Sequence, residues 1–199
     1  MKRSCKWVPS AGVPVAGALV AASAALLAAS AALADEPAAH AAGVWQKHDY
    51  SFAFMGFTST YSCDGLADKL KTLLIAAGAR ADAKSSAGAC AAGFGRPDKL
   101  ARADLSFYTL APDSAQAPAD AKRVEGTWRP VSFSVRSPRG LALGDCEVVE
   151  QFVTAVLPMF TVRNLENRMT CVPHQESGSN IDLKFDSFTW APGAPSRPK

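Results

Sequence analysis

Four cysteines set the frame of this chain, because they fall into two pairs of nearly equal spacing. Cys63 and Cys90 are 27 residues apart, and Cys146 and Cys171 are 25 apart. The surroundings of each pair run parallel. In the first, an alternating strand at 51–57 leads to Cys63, an amphipathic helix at 64–78, an extended piece at 80–90 and a strand at 103–110. In the second, a strand at 131–136 leads to Cys146, a helix at 147–157, an extended piece at 161–171 and a strand at 181–185. Both closing strands carry an Asp-Leu pair, Asp104-Leu105 and Asp182-Leu183. The pattern predicts a duplicated β-α-β-β unit, with repeats at 49–111 and 127–190 joined by a Pro/Ala linker at 112–126. Four cysteines allow three pairings. The repeat selects Cys63–Cys90 and Cys146–Cys171, since an extended segment can return along a helix of roughly 22 Å to its first residue. Each closed loop is worth about 3–4 kcal/mol on the chain-entropy view.

Disulfides require an oxidising compartment, and the first 34 residues supply the route. Lys2, Arg3 and Lys6 precede an Ala/Val/Leu-rich run at 11–33, and Ala32-Leu33-Ala34 is a small-x-small cleavage site before Asp35. Residues 1–34 therefore read as a signal peptide, and the protein as periplasmic or secreted. An uncleaved membrane anchor is the competing reading. The Ala-rich composition and the cleavage site favour removal, leaving no transmembrane span. Cys5 precedes the apolar run, so it is not a lipidation cysteine. The chain holds 21 Lys+Arg and 18 Asp+Glu, and the leader holds three of the basic residues, so 21 − 3 = 18 of each remain. Net charge then gives no ground for a nucleic-acid or anionic-membrane partner.

Residues 35–48 are Ala-rich and are expected to form a flexible N-terminal segment. Residues 49–190 are expected to form a single α+β domain. About six strands would make one mixed or antiparallel sheet with two amphipathic helices on one face; two small lobes side by side are the alternative. Leu66, Leu70, Leu73, Leu74 and Ala77 mark one helical stripe, which Ser62 or Asp64 caps and Gly78 stops. Val148, Val149, Phe152, Val153, Val156 and Leu157 mark the other, with Asp145 as its cap and Pro158 near its end. The extended piece at 80–90 reads as a sheet edge, and 163–170 as an edge strand or irregular segment. Phe188 and Trp190 fall out of phase with Ile181, Leu183 and Phe185, which predicts a bulge or strand end near Ser187. Residues 191–199, with three prolines, read as a disordered tail.

Catalytic constellations are sparse. Cys171-x-x-His174 has metal-ligand spacing, but Cys171 is assigned to a disulfide. His40 falls in the flexible start. Asp182 and Asp186 share a strand face about 13 Å apart, wider than a glycosidase pair needs. No catalytic residue, metal site or cofactor is assigned. The loop after Cys171 is polar, stiffened by Pro173 and anchored by a disulfide, so His174, Gln175 and Glu176 are the candidate contact surface. The segments Tyr61-Ser-Cys-Asp-Gly-Leu66, Gly144-Asp145-Cys146-Glu147 and Cys171-Val-Pro-His-Gln175 resemble those of an uncharacterised group of secreted bacterial proteins with a duplicated cysteine-containing unit. That resemblance implies no activity. The leading expectation is an exported, non-catalytic binding or structural module of the cell envelope, serving an unidentified envelope or extracellular protein partner. The alternatives are a secreted hydrolase-like enzyme and a secreted, disulfide-stapled inhibitor.

Overall fold

Each helix begins at a cysteine, and the chain's order follows from how those two helix starts are tied down. A computed structural model describes residues 40–90, 95–114 and 120–191. The expected signal peptide, residues 35–39 and positions 192–199 of the expected tail lie outside the described residues. The elements run β1 (His40–Met55), α1 (Cys63–Ala77), β2 (Lys84–Ala87), β3 (Leu100–Pro112), β4 (Arg123–Ser134), α2 (Cys146–Ala155), β5 (Val162–Asn167) and β6 (Asp182–Trp190). They form an α+β fold with two disulfides, Cys63–Cys90 and Cys146–Cys171, whose Cα atoms are 6.2 and 5.5 Å apart.

The six strands make one sheet in the order β2-β3-β1-β4-β6-β5, and every neighbouring pair is antiparallel. Each half contributes three strands in the same arrangement. Its first strand lies at the centre, its third pairs with the first, and its second lies at the edge. Both helices cover one face. Phe52, Phe54, Leu105 and Phe107 of the first half share a buried cluster with Phe133, Leu183 and Phe185 of the second. Leu66, Leu70, Leu73 and Leu74 of α1 and Val148, Val149 and Phe152 of α2 complete it.

The register repeats as well. Cys146 follows Cys63 by 146 − 63 = 83 positions, and the same step carries Gly43 to Gly126, Trp45 to Trp128, Ser51 to Ser134 and Arg80 to Arg163. In the closing strands the step is 182 − 104 = 78, carrying Asp104, Leu105 and Phe107 to Asp182, Leu183 and Phe185. With those two steps applied, the first half's strand pairs become the second's. Ser51 opposite Asp104 becomes Ser134 opposite Asp182, and Trp45 opposite Leu110 becomes Trp128 opposite Phe188. The halves meet where His40–Val44 of β1 pairs with Arg123–Thr127 of β4, centred on Ala42 opposite Glu125. That pair maps onto itself, so a local twofold axis passes through it. Matching bonds flank it: Asp113 N–H donates to Ala42 C=O at 2.8 Å, and Ala191 N–H to Glu125 C=O at 3.1 Å.

The seam also explains its small residues. Leu110 and Phe188 are buried on the face away from the helices, directly over Gly43 and Gly126. A Cβ on Gly43 would lie 2.8 Å from Leu110 Cγ and 2.9 Å from Phe188 Cε1; one on Gly126 would lie 2.7 Å from Leu110 Cδ2. Trp128 leans on Phe188, with ring centroids 5.3 Å apart, and Arg163 stacks on Trp128 at 4.4 Å. Arg80, at the equivalent position, stacks on Tyr108 at 3.7 Å and lies 5.4 Å from the Trp45 ring.

Several expectations need correction. Residues 40–48 are not a flexible start but the first half of β1. The linker is shorter than 112–126, because β3 runs through Pro112 and β4 begins at Arg123; positions 115–119 within it lie outside the described residues. β6 passes Ser187 without a bulge, in unbroken register with β4, and Phe188 is buried on the opposite face. The bulge lies in β5, between Arg163 and Glu166, where Asn164 takes φ 54°. Ser62 caps α1 as expected, accepting from Gly65 N–H at 3.1 Å. Asp145 occupies the N-cap position of α2, but its side chain makes no capping hydrogen bond there.

The seam's packing makes a direct prediction. Gly126→Ala should destabilise the fold by about 1–3 kcal/mol, because its Cβ must displace two buried side chains. Urea denaturation of this variant checks it; an unchanged midpoint would remove the glycine floor as the seam's requirement.

Candidate functional site

Away from the seam, β1 and β4 diverge, and each helix fills the space beside the other half's first strand. α2 runs alongside β1. Glu147, at its start, is buried and accepts hydrogen bonds from the backbone N–H groups of Phe57 at 3.1 Å, Thr58 at 3.0 Å and Ser59 at 3.3 Å. One turn on, Gln151 accepts from Met55 N–H at 3.1 Å and donates to Met55 C=O at 2.7 Å. Farther along, Thr109 of β3 donates to Met159 C=O at 3.0 Å. α1 makes the reciprocal contacts: Lys69 donates to Gly140 C=O at 2.6 Å, and Arg129 of β4 donates to Ala76 C=O at 3.4 Å.

Asp145 is buried and knits the same region. Its carboxylate accepts from Tyr61 O–H, from Lys69 Nζ at 2.8 Å and from Ala142 N–H at 2.7 Å. Burial, with the Asp145 carboxylate beside it, pushes the Tyr61 phenol far above its ordinary range. Ser59 O–H donates to Gly144 C=O, and Thr58 O–H to Val172 C=O at 3.4 Å. A buried carboxylate is costly unless its oxygens are bonded. Here several donors from the opposite half meet that need, so the chemistry open to Asp145 and Glu147 is to hold two loops in fixed positions.

The first of those loops and the strand ends beside it display apolar side chains. Met55, Phe57 and Leu100 are each more than half exposed. Met55 lies directly opposite Leu100 in the β1–β3 pair. The Phe57 ring meets the His174 ring edge-on, with centroids 5.8 Å apart. The loop carrying His174 is folded on itself: Val172 N–H donates to Ser179 Oγ at 3.0 Å, Ser179 N–H to Glu176 C=O at 3.0 Å, and Ser179 O–H to Gln175 C=O at 3.3 Å. His174 takes φ 65°, and His174, Gln175 and Glu176 are all exposed. The Glu176 carboxylate reaches back over Gly144, next to the half-exposed Leu143. Of the three candidate contact residues, His174 thus meets an exposed Phe from the other half of the chain, and Glu176 lies over Gly144.

The remaining candidates lie elsewhere. His40 pairs with Glu125 at 3.4 Å on the seam. His48 sits on the helix side of β1 with its Nε2 2.8 Å from Thr109 Oγ1. Since Thr109 gives its proton to Met159 C=O, His48 is the donor in that pair. Burial lowers its pKa from the ordinary imidazole value. Asp186 binds Arg163 Nε at 3.2 Å and Asn164 Nδ2 at 2.8 Å. Among the described residues no group of three or more His, Cys, Asp and Glu is arranged to hold a metal ion. Glu147 and Gln151 escaped the sequence reading because an acid in a first helical turn is ordinary dipole compensation. Met55 and Phe57 were not singled out, because they close the strand in the phase opposite to Phe52 and Phe54.

Glu147→Gln should cost about 2 kcal/mol, since an amide accepts less strongly than a carboxylate and turns donors toward donors. Denaturation measures the loss, and hydrogen exchange should show the Phe57, Thr58 and Ser59 amides opening first. Unaltered protection at those three amides would contradict the clamp.

Comparison with protein-family models, with curated protein sequences and with solved structures found no match to this chain.

Proposed function

We propose that this protein is an exported, non-catalytic binding module, built from two tandem copies of one β-α-β-β unit. Its contact surface is the apolar patch of Met55, Phe57 and Leu100 with the loop of His174, Gln175 and Glu176. The two-copy reading is supported by the repeated strand register on either side of the Ala42–Glu125 pair. Two disulfides are compatible with an oxidising, extracellular compartment, which the leader's composition favours. No helix among the described residues is long and apolar enough to cross a membrane.

The observation that carries the binding assignment is a departure from the repeat. At the positions of Asp145, Glu147 and Gln151 the first copy has Ser62, Asp64 and Asp68. Ser62 caps its own helix, whereas Glu147 and Gln151 reach across to the first half. The second copy thus fixes a loop whose exposed end is apolar. Glu147 ties the two halves together, and the segment it fixes leaves Met55 and Phe57 more than half exposed to water. A partner covering those side chains would remove that exposed apolar surface. The partner is a protein of the envelope or the extracellular medium, with an apolar contact flanked by hydrogen-bonding groups.

A photo-crosslinking residue at Gln175, in cells exporting the protein, should give a discrete crosslinked species. Phe57→Ser should abolish it while leaving the thermal melt within a few degrees of wild type. Crosslinking that survives both Phe57→Ser and a His174/Gln175/Glu176 triple alanine replacement would contradict the assignment.

A further inference from the structure

The two copies also differ on the sheet face away from the helices, and the difference opens a groove. It has a volume of about 280 Å³ and lies beside the β5 bulge. Pro130 and Ser132 of β4, Asn164 and Glu166 of β5, and Lys184 and Asp186 of β6 border it. In the first copy the positions of Pro130 and Ser132 are Lys47 and Asp49, and those of Lys184 and Asp186 are Ser106 and Tyr108. There the two side chains pair with each other at the surface: Lys47 Nζ binds Asp49 Oδ2 at 2.8 Å, and Asp49 lies directly opposite Ser106. The Lys47 ammonium, aided by the Ser106 hydroxyl, holds the Asp49 carboxyl below its usual range.

In the second copy a cation is present and the matching carboxylate is not. Ser132 lies directly opposite Lys184, where the first copy sets Asp49 opposite Ser106. The two acids at the rim are engaged elsewhere. Asp186 holds Arg163 at 3.2 Å, and Glu166, although opposite Lys184, is turned to Arg168 at 3.1 Å. Among the described residues no carboxylate lies within ion-pair distance of Lys184. Pro130, small and without an N–H, leaves room where the first copy has the Lys47 side chain.

Resting on the two-copy reading, we propose that this groove binds a small carboxylate with a short apolar body. The ligand's carboxylate would meet Lys184 where Asp49 stands in the first copy, and its body would lie against Pro130. The volume is at the low end of small-molecule sites, which suits a ligand of about ten heavy atoms. Such a carboxylate occurs on free organic acids and at peptide C-termini.

The experiment is a titration of the full exported protein, followed by amide chemical shifts of Asn164, Leu165 and Lys184. Benzoate should give saturable shifts at these amides, and benzamide, its neutral counterpart, should give none. Lys184→Gln should weaken benzoate binding at least tenfold. Ser132→Asp, which restores the carboxylate found in the first copy, should weaken it to the same extent by occupying the site. Both positions are exposed, so shifts elsewhere should stay superimposable on wild type. Acetyl-Gly-Phe with a free C-terminus, if tighter than benzoate, assigns the groove to chain ends; if weaker, to free acids. The proposal is overturned if benzoate gives no saturable shift, if benzamide binds equally, or if Ser132→Asp binds benzoate as wild type does. The strand register of the two halves is measured independently of any ligand, so failure of the groove is distinguishable from failure of the two-copy reading.

Discussion

The seam between β1 and β4 is the constraint on which the rest of the structure depends. It pairs only His40–Val44 with Arg123–Thr127 before the strands part. So short a ladder cannot join two three-stranded sheets unless the surface beside it is also closed. Three devices close it. Glycines at 43 and 126 let Leu110 and Phe188 lie flat across the join. The helices share one buried cluster beneath it. Polar side chains on each helix then take up backbone groups of the other half, as Gln151 does for both groups of Met55. An unpaired strand edge invites foreign strands, and a helix along that edge removes the hazard.

How much of this was legible follows from which residues face the core. The α1 stripe, the two disulfides and the inward alternation of Phe133, Leu183 and Phe185 were readable because each has one partner surface and a regular period. The first half of β1 was not. Ala41, Ala42 and Gly43 look like loop residues, and Gly43 must be small because two larger side chains lie over it, a reason that exists only in three dimensions. Phe188 looked out of phase because the sequence suggested one buried face, whereas this sheet buries a second, smaller apolar cluster on its other side. Asp145 read as a helix cap, yet its oxygens are taken by Tyr61, Lys69 and Ala142. The His174 loop was singled out for its polarity and its disulfide anchor. Its apolar neighbours came from a distant part of the chain that no local pattern could connect to it.

On the two-copy reading proposed above, a repeated fold separates what packing demands from what it leaves free. Core positions would then recur in both copies because both must bury the same faces. Where the copies differ, packing alone does not account for the residue. Glu147 in place of Asp64, and Pro130 and Ser132 in place of Lys47 and Asp49, are differences of this kind. One stiffens an exposed apolar edge, and the other replaces the Lys47–Asp49 ion pair of the first half with uncharged residues.

The account's central claim is that both halves carry one strand register about a shared axis, and interstrand Hα–Hα nuclear Overhauser contacts test it most directly. In antiparallel ladders these contacts are strong only between residues of non-hydrogen-bonded pairs, whose Cα atoms are about 4.5 Å apart. Ala42 and Glu125 are such a pair, because Ala42 C=O is taken by Asp113 and Glu125 C=O by Ala191. The account predicts strong contacts for Ala42–Glu125, and for the equivalent pairs Ser51–Asp104 and Ser134–Asp182. A contact shifted by one residue in either half, or its absence between Ala42 and Glu125, would contradict it.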